Sequence, residues 1–213
     1  MLEKGPIISI LIPDGENELL TNHVKDCFSK EPLIRLFVMS AKKMAPSCFS
    51  RYVYKYSYYP KTKDELQWIA NINKEVLRNQ IDLVMPIFED GIRSLIKLKE
   101  YLDTPEKLVV HPSLEMFTIA NNKVLLAKHM LRNNIPAPKI YHLKKDGYQE
   151  FEEHFFPILA KPIDRTDGGS GIVLLKNNDE VSDFLFNNTH LGDFLFQEYI
   201  EGDSLMVDEN EIA

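Results

Sequence analysis

Residues 160–175 read AKPIDRTDGGSGIVLL, in which Lys161 and Pro162 close one apolar run and a loop with three glycines and a serine leads into another. Such a loop can turn several backbone N–H groups toward one anion, because residues without a Cβ let the chain come close. It is no Walker A loop, which needs Gly-Lys-Ser or Gly-Lys-Thr at a helix start; here four strand-forming residues, IVLL, follow. From composition alone the loop reads either as a phosphate flap or as a hairpin turn.

Lys161 lies near the end of FPILAKP (156–162). In a strand, Ile158 and Ala160 share one face and Leu159 and Lys161 the other, so the ammonium either meets an anionic ligand beside the loop or snorkels to solvent. A second lysine, Lys123, falls on a helix-like stretch (119–134), on one side with Ala127 and Met130 at the edge of the apolar stripe. Its neighbours Lys128 and Arg132 read as solvated face. The last candidate is FLFQEYIEGDSLMVD (194–208), whose residues Gln197, Glu198, Tyr199 and Ile200 could offer backbone C=O and N–H groups to a flat base, or be the polar tip of an edge strand.

Several elements must carry these residues. Strand-like runs at 7–12, 33–39, 51–59 and 81–88 alternate with helix-like segments at 16–29, 62–79 and 92–102, and KLVVHP (107–112) closes the first half. The apolar stripe of the first helix takes Leu19, Leu20, Val24, Cys27 and Phe28; that of the second takes Leu66, Ile69, Ala70, Ile72, Val76 and Leu77. This alternation predicts a Rossmann-like α/β domain over 1–113, with a parallel sheet covered on both faces. Ligands in such sheets sit at the carboxyl ends of the strands, which here are PDGEN and PIFEDG. Neither carries the three-glycine dinucleotide fingerprint, and Asp14, Glu89 and Asp90 either face a cleft or are solvated loop carboxylates. From 114 to 213 short strands prevail (KIYHL, FPILAKP, GIVLL, FLFQEYI, SLMVD) with a helical interruption at 179–188, which predicts an antiparallel α+β domain.

Composition removes several function classes. A net charge of -7 over 213 residues gives no global positive field for nucleic acid. The longest apolar runs are too short for a membrane span or a signal peptide, so a cytoplasmic protein is expected. Cys27 and Cys48 match no metal spacing and read as reduced packing residues. There is no His-Glu-x-x-His, Gly-x-Ser-x-Gly or Cys-x-x-Cys.

Taken in order, the lysine of NNK, the Pro-rich IPAP, FPILAKP, DGGSGI and QEYIEG resemble the front half of the ATP-grasp superfamily, as in carbamoyl-phosphate synthase large subunits, biotin carboxylases and carboxylate-amine ligases. The resemblance implies a pre-ATP-grasp domain followed by the amino-terminal portion of an ATP-grasp domain with its antiparallel lid. By position it implies that Lys123 and Lys161 hold nucleotide phosphates and that Gly168, Gly169, Ser170 and Gly171 fold over them. Gln197, Glu198, Tyr199 and Ile200 match the adenine hinge; where many relatives have a glutamate for the ribose this chain has Ser204, so ribose contact would come from Ser204, from Asp203, or be weaker. It further implies ATP as ligand, a small-molecule carboxylate and an amine as acceptors, and Mg²⁺ held by residues past position 213. A homodimer is compatible with it. The implied activity is ATP-dependent carboxylate activation, with this chain inactive alone. Two other readings are a non-catalytic nucleotide-binding or regulatory module and a sugar-nucleotide transferase.

Overall fold

The computed structural model describes residues 6–109, 111–141, 151–163, 171–188 and 194–202. It divides into two compact units, Met1–Leu114 and Glu115–Ala213. In the first, β1 (Ile8–Ile12), α1 (Glu18–Phe28), β2 (Ile34–Ser40), β3 (Val53–Tyr58), α2 (Glu65–Asn79), β4 (Leu83–Val84) and α3 (Glu89–Lys97) follow one another. The strands form a parallel sheet in the order β3-β2-β1-β4.

Strand alternation sorts the apolar residues onto two faces. Leu11, Phe37 and Met39 pack with Ile69, Ile72 and Val76 of α2 and Leu95 of α3. Ile10, Ile12, Leu36 and Val38 pack on the other face with Val24 and Phe28 of α1. Each such side chain contributes about 1.5–3 kcal/mol through burial, which makes the sheet the rigid base for the loops at its carboxyl edge.

Several elements differ from the sequence-based expectation. α2 starts at Glu65, because the Asp64 side chain accepts the Leu66 N–H and caps it. Within it Leu66 and Leu77 are 47% and 84% exposed and Ala70 is exposed too, while Glu75, an acid, is 1% exposed. Glu75 is satisfied there: Ser57 Oγ, Tyr59 Oη and Asn79 Nδ2 donate to its carboxylate at 3.0, 2.8 and 2.6 Å. In α1 Leu19 is exposed and Thr21 is buried. The run 81–88 pairs only over Leu83–Val84, since Pro86 has no N–H and the N–H groups of Ile87 and Phe88 donate to the Asp14 carboxylate. Helix 92–102 becomes α3 plus a 3-10 turn at Lys99–Tyr101. Among its described residues, KLVVHP contributes one bridge, Leu108 to Val84. Both cysteines are exposed, contrary to a packing role.

From the last residue of the first unit onward, α4 (Leu114–Asn121), α5 (Lys123–Arg132), β5 (Ile140–Tyr141), β6 (Ile158–Pro162), β7 (Val173–Leu175), α6 (Asn178–Asn187) and β8 (Phe194–Glu198) appear in order. The sheet is antiparallel, ordered β5-β8-β6-β7. Ile158, Ala160, Leu175, Val181 and Phe196 form its core with Phe151, and Phe184 stands edge-on to Phe194 and Phe196. The single helix expected over 119–134 is two helices. Asn122 takes an extended conformation between them, and its side chain accepts the N–H groups of Val124 and Leu125. The SLMVD run lies outside the described residues.

Candidate functional site

The second sheet turns Ile158, Ala160 and Phe196 to its core, and Lys161 and Gln197 lie on the opposite face with Leu159 and Leu195. On β6, Ile158 and Ala160 are fully buried in the core, whereas Lys161 projects from the opposite side, half-buried. In the β6–β8 register Leu159 pairs with Gln197 and Lys161 with Leu195, so Lys161 and Gln197 are diagonal neighbours on one face. Their side chains meet: Lys161 Nζ donates to Gln197 Oε1 at 2.6 Å. Gln197 is 8% exposed, so its amide oxygen is a fixed acceptor that aims the ammonium.

Lys123 begins α5, and the Asn122 cap fixes where it starts. Its Nζ lies 3.5 Å from the carbonyl oxygen of Ile163, two residues beyond Lys161. Burial pushes the Lys161 pKa down, and the Lys123 charge pushes it further the same way. Two ammonium groups therefore occupy one neighbourhood. Among the described residues no carboxylate forms an ion pair with Lys161. Such a pair of like charges is relieved by an anion, and a phosphate chain has the charge and the acceptors to bridge it.

At the far end of β8 the backbone is partly engaged. The Glu198 N–H donates to Lys139 O at 3.0 Å, and the Glu198 carboxylate accepts the Lys139 N–H at 2.8 Å. Those bonds hold the strand end to the segment that leads into β5. Tyr199 and Ile200 follow, 43% and 64% exposed, beyond the last ladder pair. Gly171 ends the glycine loop at φ +75°, a conformation that suits glycine, with Pro162 Cγ 3.1 Å from where a Cβ would stand. Gly168, Gly169, Ser170, Asp203 and Ser204 lie outside the described residues. Lys123, Lys161 and Gln197 are thus brought together, while Glu198, Tyr199 and Ile200 stand at one end of the strand that carries Gln197. Among the described residues no group of three His, Cys, Asp or Glu side chains is placed to hold a metal. Nor is any helix there long and apolar enough to cross a membrane.

No protein-family profile matches the sequence, and no curated protein does either. Solved structures do. An L-amino acid ligase from Bacillus licheniformis superposes with a TM-score of 0.59 at 14% identity, covering 94% of this chain and 45% of that one. An N5-carboxyaminoimidazole ribonucleotide synthetase in an ADP complex gives 0.57 at 14%, covering 91% and 46%. The biotin carboxylase domain of Hydrogenobacter thermophilus 2-oxoglutarate carboxylase, bound to MgADP and bicarbonate, gives 0.55 at 17%, covering 93% and 45%. The chain spans under half the length of these structures, and over nearly all of its own length it shares the fold of the part of each that it matches.

Proposed function

We propose that this chain is the nucleotide-binding portion of an ATP-grasp ligase that activates a carboxylate as an acyl phosphate. The observation that carries the reading is the convergence of Lys123 and Lys161, one from a helix start and one from a strand, with the Lys161 pKa lowered partly by its neighbour. ATP would lie along the face of the second sheet that bears Lys161 and Gln197, its phosphates between the two ammonium groups and under the loop of Gly168, Gly169, Ser170 and Gly171. Because the Glu198 N–H is already engaged, the adenine edge would be met by the Glu198 C=O and the Ile200 N–H. Asp203 and Ser204 would serve the ribose.

In this reading a carboxylate oxygen attacks the γ-phosphorus, the bond to the bridging oxygen breaks, and ADP leaves. An amine or another nucleophile then attacks the acyl carbon, inorganic phosphate departs, and the amine loses a proton. The role of Lys161 is to neutralise negative charge as it moves toward the leaving ADP, with Gln197 holding its side chain in place. Mg²⁺ would add further neutralisation of the phosphates, on ligands outside the described residues.

Calorimetric titration with ATP tests the assignment. Lys161→Ala removes a charged hydrogen-bond donor, a loss of about 1.5–3 kcal/mol, so affinity is expected to fall about ten- to a hundredfold. Unchanged affinity in that variant and in Lys123→Ala would sink the reading.

A further inference from the structure

The two edges of the first sheet are of unlike kind. At one, β4 is two residues long and the chain closes against it: Leu108 bridges to Val84, and the Val109 N–H donates to Val84 O at 3.0 Å. At the other, β3 runs for six residues, and among the described residues of the first unit no strand pairs with its outer side. The Tyr59 N–H donates to Ser40 O at 3.0 Å, so alternation along the strand turns the backbone groups of Ser57 toward β2 and those of Tyr56 and Tyr58 outward. Tyr54 is the extra residue of a bulge between the Leu36–Val53 and Phe37–Lys55 pairs, and from Lys55 onward the register is regular. Outward N–H and C=O groups on such an edge are a template for one more strand.

Charge is concentrated at the same edge. Residues 32–63, which span β2, β3 and their flanks, contain seven Lys and Arg and no Asp or Glu. That stretch carries +7 in a chain of net charge -7, so the remaining residues together carry -14. Among the described residues only Lys42 of these seven forms an ion pair, with Glu18 at 2.8 Å. Arg35 and Arg51 lie instead over the rings of Tyr54 and Tyr52, 5.0 and 4.8 Å from their centroids, and Arg51 gives one donor to Tyr52 Oη. Lys55, within the strand, donates to the neutral Asn79 Oδ1 at 2.8 Å.

We propose that the outer edge of β3 takes up an extended, Asp- and Glu-rich segment of a partner protein as an added strand, its backbone on Tyr56 and Tyr58 and its carboxylates among Arg35, Arg51 and Lys55. Guanidinium groups suit carboxylates because they present several donors in a fixed fork. A second copy of this chain fits poorly, since antiparallel pairing of β3 with itself would set these cations against one another. A single-stranded nucleic acid also fits poorly. The rings of Tyr52 and Tyr54 already carry guanidinium groups, Phe37 lies 5.2 Å from Tyr54, and a phosphate backbone brings no N–H to the outward carbonyls. Screening over about 8 Å at physiological salt lets the patch act apart from the acidic remainder of the chain. The inference goes beyond the nucleotide reading and does not rest on it, because every residue named here belongs to the first unit. ATP binding and peptide binding can therefore fail separately.

The test is fluorescence anisotropy of a labelled peptide in which Glu alternates with Val and Thr, titrated with the whole chain. Saturable binding that weakens as salt rises is expected. One counterpart has Lys in place of each Glu; another has Pro in place of each Val, which keeps the charge but cannot pair as a strand. Each is expected to bind at least about tenfold more weakly. Tyr58→Pro removes an outward N–H and no bond to β2, whereas Tyr58→Thr keeps both. The Pro variant is expected to bind the Glu peptide about three- to tenfold more weakly than the Thr variant, at an equal unfolding midpoint. Arg51→Glu with Lys63→Glu changes two exposed side chains and is expected to weaken binding about tenfold at low ionic strength, which decides the matter if Tyr58→Pro does not fold. Absence of saturable binding, equal affinity for the Lys or Pro counterpart, equal affinity of folded Tyr58→Pro and Tyr58→Thr, or no effect of the charge reversal would each overturn the proposal. So would tighter binding of oligothymidylate than of the Glu peptide, or a dimer of the chain that Tyr58→Pro disrupts.

Discussion

At the scale of single residues, Asp14 makes stability depend on pH. Its folded pKa is raised from 3.8 to about 7, chiefly by burial and slightly by Glu16, so the folded state holds a proton that the unfolded chain releases. Below about pH 4 both states are protonated and the contribution is fully present. It declines as pH rises and is lost by about pH 7. Each tenfold gain in proton affinity on folding is worth about 1.4 kcal/mol, so the contribution is on the order of several kcal/mol. Asp14→Asn keeps an oxygen for the Phe88 N–H and removes the titration. In urea melts at pH 5 and pH 8, the stability of the wild type relative to Asp14→Asn is expected to fall as pH rises; an equal difference at both values would refute the assignment. The sequence puts Asp14 at a strand end, yet its burial depends on Gly91 and on N–H groups more than seventy positions away. Glu75 is less legible still. Its only sequence signal is an acid at helical spacing within the stripe of Ile69, Ile72 and Val76, and its partners Ser57 and Tyr59 lie on β3 and just beyond it.

At the scale of elements, the alternation in FPILAKP is readable because a strand's period of two leaves Lys161 no choice of face once Ile158 and Ala160 enter the core. The partner is not readable. Gln197 meets Lys161 through an antiparallel register that no local pattern states. The break at Asn122 is hidden because residues 119–134 have helical periodicity throughout, and a cap differs from a helix interior by one residue's backbone angles. That cap fixes the start of α5 and with it Lys123. Asn122→Ala is therefore expected to lower stability by about 1 kcal/mol and to weaken ATP binding several-fold while leaving the Lys161–Gln197 contact in place. Chemical denaturation paired with ATP titration checks both; a stability loss with unaltered ATP affinity would mean that the cap does not position Lys123.

At the scale of the whole molecule, a chain of net charge -7 has no overall attraction for a triphosphate, so any such binding has to come from cations gathered locally by the fold. The division into a parallel-sheet unit and an antiparallel one follows from patterns the sequence displays openly: strands alternating with helices, then strands in succession. What the fold adds is proximity between Lys123 and Lys161. The most direct measurement is the pKa of the Lys161 ammonium, followed by NMR of its ε-carbon in the free chain, in Lys123→Ala and with saturating ATP. The account predicts a value below that of an ordinary lysine in the free chain, raised by removing Lys123 and raised also by ATP. An unshifted value that neither the substitution nor the nucleotide moves would contradict it.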